Sequence, residues 1–139
     1  MKFKKFGNKY IVRIDKGEEI VETLKNFCKA NDVKLASISG IGTVNSATIG
    51  LFKTSTKQYE LKLLLGDFEI INLNGNVSSM KEEVYLHLHI TLSSSSFNTL
   101  GGHLNSAVVS SSCEFVIDMI DGVLEREFDE DVGLNIYKL

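Results

Sequence analysis

From Val84 to Leu92 apolar and polar side chains alternate without a break, and no other stretch of the chain restricts its folding so tightly. Val84, Leu86, Leu88, Ile90 and Leu92 fall on one side; Tyr85, His87, His89 and Thr91 fall on the other. A period of two is the pattern of a half-buried strand, with the aliphatic side turned to the core. Residues i and i+2 of a strand point the same way, roughly 6–7 Å apart, so the two imidazoles can lean towards a common point. A serine-rich loop follows, and Gly101-Gly102 then lets the backbone turn tightly before the third histidine, His103. All three histidines of the protein lie between Tyr85 and Leu104.

The rest of the composition narrows the classes open to such a chain. Its 139 residues suit a single domain, residues 1–139, with its own core. No apolar run is long enough to span a bilayer, and MKFKKFGNKY lacks the apolar region of a signal peptide. A cytoplasmic location with no membrane partner is therefore expected. Cys28 and Cys113 are far apart and unpaired in spacing, which argues against a disulfide framework or a cysteine zinc site. The net charge of −3 disfavours broad attraction to nucleic acid, which needs a basic face. The one dense basic cluster, Lys2, Lys4, Lys5 and Lys9, reads as a solvated terminus.

Along the chain, Lys9–Ile14 is the first expected strand. Asp15 with Glu18 three residues later resembles a capping box. Ile20, Val21, Leu24, Phe27 and Cys28 then recur at helical spacing, predicting an amphipathic helix that ends near Asn31-Asp32. Strands are expected at Leu35–Ser39, Ala47–Lys53, Tyr59–Leu65, Phe68–Asn76, Val84–Leu92, Ala107–Ser111 and Cys113–Met119. Gly66-Asp67 reads as a hairpin turn between two of them. One helix among many short strands predicts an α+β fold with a largely antiparallel mixed sheet.

Most chemical motifs in the chain are weak. Gly40-Ile41-Gly42 lacks the further glycine and following helix of a dinucleotide loop, so a bulge or turn is the better reading. No serine sits in a Gly-x-Ser-x-Gly elbow. Cys113 reads as a buried thiol, and Glu82-Glu83 and Asp129–Asp131 read as solvated acidic faces. His87, His89 and His103 stand above this background. Three neutral imidazoles can hold a zinc-like divalent ion and leave a fourth position open; the alternative is a hydrogen-bonded cluster on a sheet face. Glu69 is the carboxylate expected nearest to them, as a supporting partner or ligand, or equally as a surface strand residue. Because bound imidazoles must be neutral, metal affinity is expected to fall as the pH drops through about 6.5.

Four segments in order resemble the PPC (plants and prokaryotes conserved) domain, known from AT-hook proteins of plants and as a standalone protein in prokaryotes. They are Ser39–Gly42 with the strand Ala47–Phe52, Gly66–Gly75 (GDFEIINLNG), the pair His87-Leu88-His89 and Gly101-Gly102-His103-Leu104, and Cys113-Glu114. The resemblance implies a compact α+β domain that assembles as a homotrimer. It implies no defined enzymatic activity, and relatives are catalogued as DNA-binding or are able to hold a metal at the three histidines. Two departures matter: Asp67 stands where the plant motif has Arg, and the AT-hook core Arg-Gly-Arg-Pro is absent. The leading expectation is a trimeric binding or regulatory module with a three-histidine metal pocket. The alternatives are a DNA-associated regulator and a small metal-dependent enzyme, for which Glu69 and Glu114 are the only candidate bases.

Overall fold

The computed structural model describes all residues, Met1–Leu139. Its strands are β1 (Lys2–Phe6), β2 (Lys9–Asp15), β3 (Ala36–Lys53), β4 (Gln58–Met80), β5 (Glu83–Ser94), β6 (Thr99–Met119), β7 (Arg126–Asp129) and β8 (Leu134–Tyr137). The single helix, α1, spans Ile20–Ala30. The main sheet runs β1-β2-β6-β3-β4-β5, and β5 pairs again with β6, so the β6-β3-β4-β5 part closes on itself. Every ladder in it is antiparallel. The antiparallel sheet and lone helix match expectation, but strand dominates more heavily than the α+β label suggests.

Three strands are much longer than their sequence fragments. The glycines of Ser39–Gly42 do not end a strand: they sit at a bulge where β3 shifts register against both neighbours, between Gly40 and Gly42 on the β4 side. A Cβ at Gly40 would lie 2.2 Å from the Phe115 ring, so close strand packing explains that glycine. The expected hairpin at Gly66-Asp67 is absent. β4 runs through it, and Gly66, at φ +125°, bends the strand between its β3-only half and the half that also pairs with β5. The true β4–β5 turn is Lys81-Glu82, both at positive φ, joining the pair Met80–Glu83. That is primed-turn geometry without the usual Asn-Gly residues.

Two further elements depart from expectation. The lysine-rich start is a strand, β1, whose charged side chains suit the exposed edge of the sheet. Glu19, and not Asp15, caps α1: its carboxylate accepts from the Val21 and Glu22 amides and also from the Ala107 amide of β6 at 2.8 Å. Glu18 does reach back to the Asp15 amide, at 2.7 Å, but closes a turn ahead of the helix.

α1 buries Ile20, Leu24, Phe27 and Cys28 against the sheet. From the strands, Val12, Ile14, Ile38, Leu73, Leu88, Ile90, Leu92, Phe115 and Ile117 complete the core. The even-numbered side of β5 thus faces inward as its alternation requires, and its odd-numbered side is left on the outer surface. No helix is long and apolar enough to cross a membrane.

Candidate metal centre

The histidines meet because of ladder register. His89 and His103 are direct partners across the β5–β6 ladder, and His87 lies two residues before His89 on the same face of β5. Directly opposed residues of an antiparallel pair bring their side chains together. The ring centroids of His87 and His89 are 5.1 Å apart, those of His87 and His103 5.3 Å, and those of His89 and His103 5.5 Å. One ring nitrogen from each residue lies within 4.8 Å of the other two.

Glycines make this approach feasible. A Cβ on Gly75 would come within 2.0 Å of the His87 carbonyl oxygen, and one on Gly102 within 2.7 Å of the Gly50 oxygen. The pair Gly101-Gly102 thus serves less as a loop pivot than as a place where β6 lies flat between β5 and β3.

The rings open into a cavity of about 780 Å³. Gly50, Leu51, Phe52 and Thr54 from the end of β3 and its turn line one side, with Tyr59 of β4. Tyr85 precedes the histidines on β5, and Phe128, Leu134 and Asn135 come from the β7–β8 hairpin. Tyr59 stands edge-on to His103 at 5.8 Å. No acidic, basic or thiol side chain lines the cavity besides the histidines.

Behind its wall lies Arg126, 7% exposed in spite of its acidic sequence neighbours. Its guanidinium donates to Ser78 Oγ (2.8 Å), Asn76 Oδ1 (2.9 Å) and the Asn135 carbonyl (2.9 Å). It also lies over the rings of Tyr85 at 4.9 Å and Tyr137 at 4.2 Å. Asn76 is the cross-strand partner of His87, so one bond network links the hairpin to the histidine strand.

Burial sets the charge state of His87 and His103. It pushes the His87 imidazole down to about 4, helped by the nearby His103, Arg126 and His89, and it lowers His103 as well, with His89 contributing. Both rings are therefore neutral near pH 7, the form that binds metal. His87 Nε2 and His89 Nε2 stand 3.2 Å apart. Nitrogens at about 2.0–2.1 Å from a tetrahedral zinc would be about 3.3 Å from each other. The donor set thus fits a divalent ion, although the same spacing also suits an imidazole–imidazole hydrogen bond.

Other sequence-derived candidates lie elsewhere. Glu69 shares the outer face but pairs with Ser93, four residues along β5 from His89, or roughly 13 Å at strand rise. It is exposed and does not line the cavity, so it cannot support the imidazoles directly. Glu114 is exposed between Arg13 and Ile41. Cys113 and Cys28 are buried, their thiols pushed up to about 11 and about 12 by burial. Sequence reasoning placed Tyr85 on the histidine face but missed Tyr59, Asn135 and Arg126, which no motif marks.

No curated protein matches the chain significantly. Among solved structures, a candidate DNA-binding protein from Bacteroides thetaiotaomicron is 45% identical, with a TM-score of 0.96 over 99% of this chain and 96% of its own. A metal-containing protein from Archaeoglobus fulgidus is 35% identical, with a TM-score of 0.88 over the whole of both chains. A plant- and prokaryote-conserved (PPC) protein from Pyrococcus horikoshii is 33% identical, with a TM-score of 0.88 over 99% of this chain and 95% of its own. Residues 1–121 match the profile of the Plants and Prokaryotes Conserved (PCC) domain, and the chain belongs to that family.

Proposed function

We propose that this chain is a binding module in which His87, His89 and His103 hold a divalent transition metal, zinc above all, and that it works as a homotrimer. One observation carries the metal reading: three half-buried or exposed imidazoles converge within 4.8 Å at the mouth of a cavity lined by no carboxylate or thiol. The metal-containing relative from Archaeoglobus, 35% identical, supports it. A bound ion would supply Lewis acidity and an open coordination position for an incoming ligand. With no carboxylate in the lining to act as a base, binding is favoured over catalysis.

The trimer reading is supported by the first half of β4. Tyr59, Leu61, Leu63 and Leu65 project from it in alternation and remain exposed, Leu65 by 71%. β5 joins β4 only from Phe68 onward, so this half is also an open edge. A second reading, DNA binding, is favoured by the 45% identical Bacteroides relative. Against it, the chain carries a net charge of −3, and Lys9 is paired with Asp118.

Elemental analysis of protein incubated with zinc and freed of excess tests the metal reading. About one ion per chain is expected, and almost none in a His87→Ala/His89→Ala variant. Equal, substoichiometric metal in both would sink the proposal.

A further inference from the structure

Resting on the metal reading above, we infer that the three-histidine site takes a small organic carboxylate as the external ligand of its metal. The first ground is charge. Zinc sites often include thiolates or carboxylates that offset the ion's charge, but here the donors are three imidazoles and the cavity is lined by no acidic side chain. A divalent ion at this position keeps its full charge until an anion arrives.

Arg126 adds to that charge. It is buried, and its three hydrogen bonds go to a hydroxyl, an amide oxygen and a backbone carbonyl, all neutral. It also lies over the two tyrosine rings. Buried cations are normally matched by a carboxylate, because desolvating an unpaired charge is costly. This one is satisfied as a donor and left unmatched as a charge. Tyr85 and Asn135, which it contacts, themselves line the cavity, so the guanidinium sits one side chain behind the wall.

The rest of the lining selects for an organic anion over an inorganic one. Phe52, Tyr59, Phe128 and Leu134 present apolar surface, while Thr54 and Asn105 offer polar contacts. A cavity of about 780 Å³ has room for a hydrocarbon or aromatic body behind a carboxylate. Phe128, Leu134 and Asn135 lie beyond residue 121, where the family match ends, so the hairpin is the part of the wall that would tune which acid fits.

The test uses the full chain, first titrated with cobalt(II) or zinc in anion-poor buffer, then followed by the cobalt visible spectrum. The probes are benzoate, the neutral isostere benzamide, and inorganic phosphate. Benzoate should change the spectrum saturably and at least roughly tenfold more tightly than phosphate, and benzamide should leave it unchanged. On fully cobalt-loaded protein, Arg126→Gln should weaken benzoate about tenfold, with Arg126→Lys recovering most of the loss. If the glutamine variant fails to fold, the three probes on the unaltered protein still decide. Cobalt uptake with benzoate no better than benzamide, or with phosphate preferred, would overturn the carboxylate inference alone. Failure to take up either metal before any anion is added would overturn the metal reading and this inference with it.

Discussion

His89 and His103 are register partners across the β5–β6 ladder, with ring planes at 87° and centroids 5.5 Å apart. Backbone hydrogen bonding, and not a mobile loop, therefore holds the histidine cluster together. The geometry separates binding from folding. His89 is exposed, while Leu88 and Ile90 on either side of it are buried in the core. His89→Ala should abolish stoichiometric zinc binding yet change metal-free stability by no more than about 0.5 kcal/mol, as at other exposed sites. Metal analysis beside a circular-dichroism melt measures both; a loss of several kcal/mol would make the cluster a structural one.

The pH response follows from burial. In the unfolded chain His87 titrates at its ordinary 6.5, but in the fold it is held down to about 4. Between those values the unfolded state binds more protons than the native state. Stability of the metal-free protein is thus present in full above about pH 6.5 and declines as pH falls towards 4. His103 acts in the same direction. For His87, protons compete with metal only near pH 4, lower than an unperturbed imidazole would suggest. An NMR titration of the metal-free protein should find the His87 ring resonances moving well below pH 6; a midpoint near 6.5 would contradict this.

Gly75 is a second point of vulnerability. It faces Leu88 across the β4–β5 ladder, and an added Cβ would meet the His87 carbonyl at 2.0 Å and Leu88 Cα at 2.8 Å. Both are backbone atoms, so a strand must move. Gly75→Ala should cost about 1–3 kcal/mol in urea unfolding and lower zinc affinity at the same time, since the displaced strand carries two of the ligands. Normal stability with normal metal content would show that β5 can yield without disturbing the site.

What could be read in the sequence followed from residue-level chemistry. The alternation of Val84–Leu92 placed the two β5 histidines on an outer face because the strand period leaves no choice. The helix was legible from Ile20, Leu24, Phe27 and Cys28. Continuous long strands were not: Gly40, Gly42 and Gly66 look like breaks, whereas bulges and close packing against Phe115 and Cys113 absorb them. The Lys81-Glu82 turn lacked any turn residue. Glu69 had the correct face but not the correct register, since face is local and register depends on the partner strand. Arg126 was invisible in an acidic run, because its hydrogen-bond acceptors at Asn76 and Ser78 lie some 50 residues away.

Nucleic-acid binding gives a sharp negative expectation. Lys2, Lys4 and Lys5 of β1 are exposed, but Lys9 is paired with Asp118, and each chain adds a net charge of −3. An assembly of three copies multiplies that deficit. A protein that neutralises several phosphates loses affinity steeply with salt. Fluorescence anisotropy with labelled duplexes at about 150 mM salt should detect at most weak contact with no sequence preference. A nanomolar, salt-sensitive complex with one defined duplex would overturn the order of the two functional readings.

Assembly is testable through a single residue. Leu63 is 59% exposed and lies in the row Tyr59, Leu61, Leu63, Leu65, opposite the small partner Thr48 on β3. Within one chain a charge at position 63 would meet water and cost little. At an interface between copies it would be buried without a partner, which is expensive. Leu63→Glu should therefore leave the circular-dichroism spectrum unchanged while light scattering at micromolar concentration moves from a trimer to a monomer mass. Metal content should persist, because all three imidazoles come from one chain. A wild-type monomer would reject the trimer itself, and a Leu63→Glu trimer would move the interface away from this row. Loss of metal on dissociation would reveal a dependence of the histidine site on its neighbours, with Tyr59, common to the leucine row and the cavity, as the point of contact.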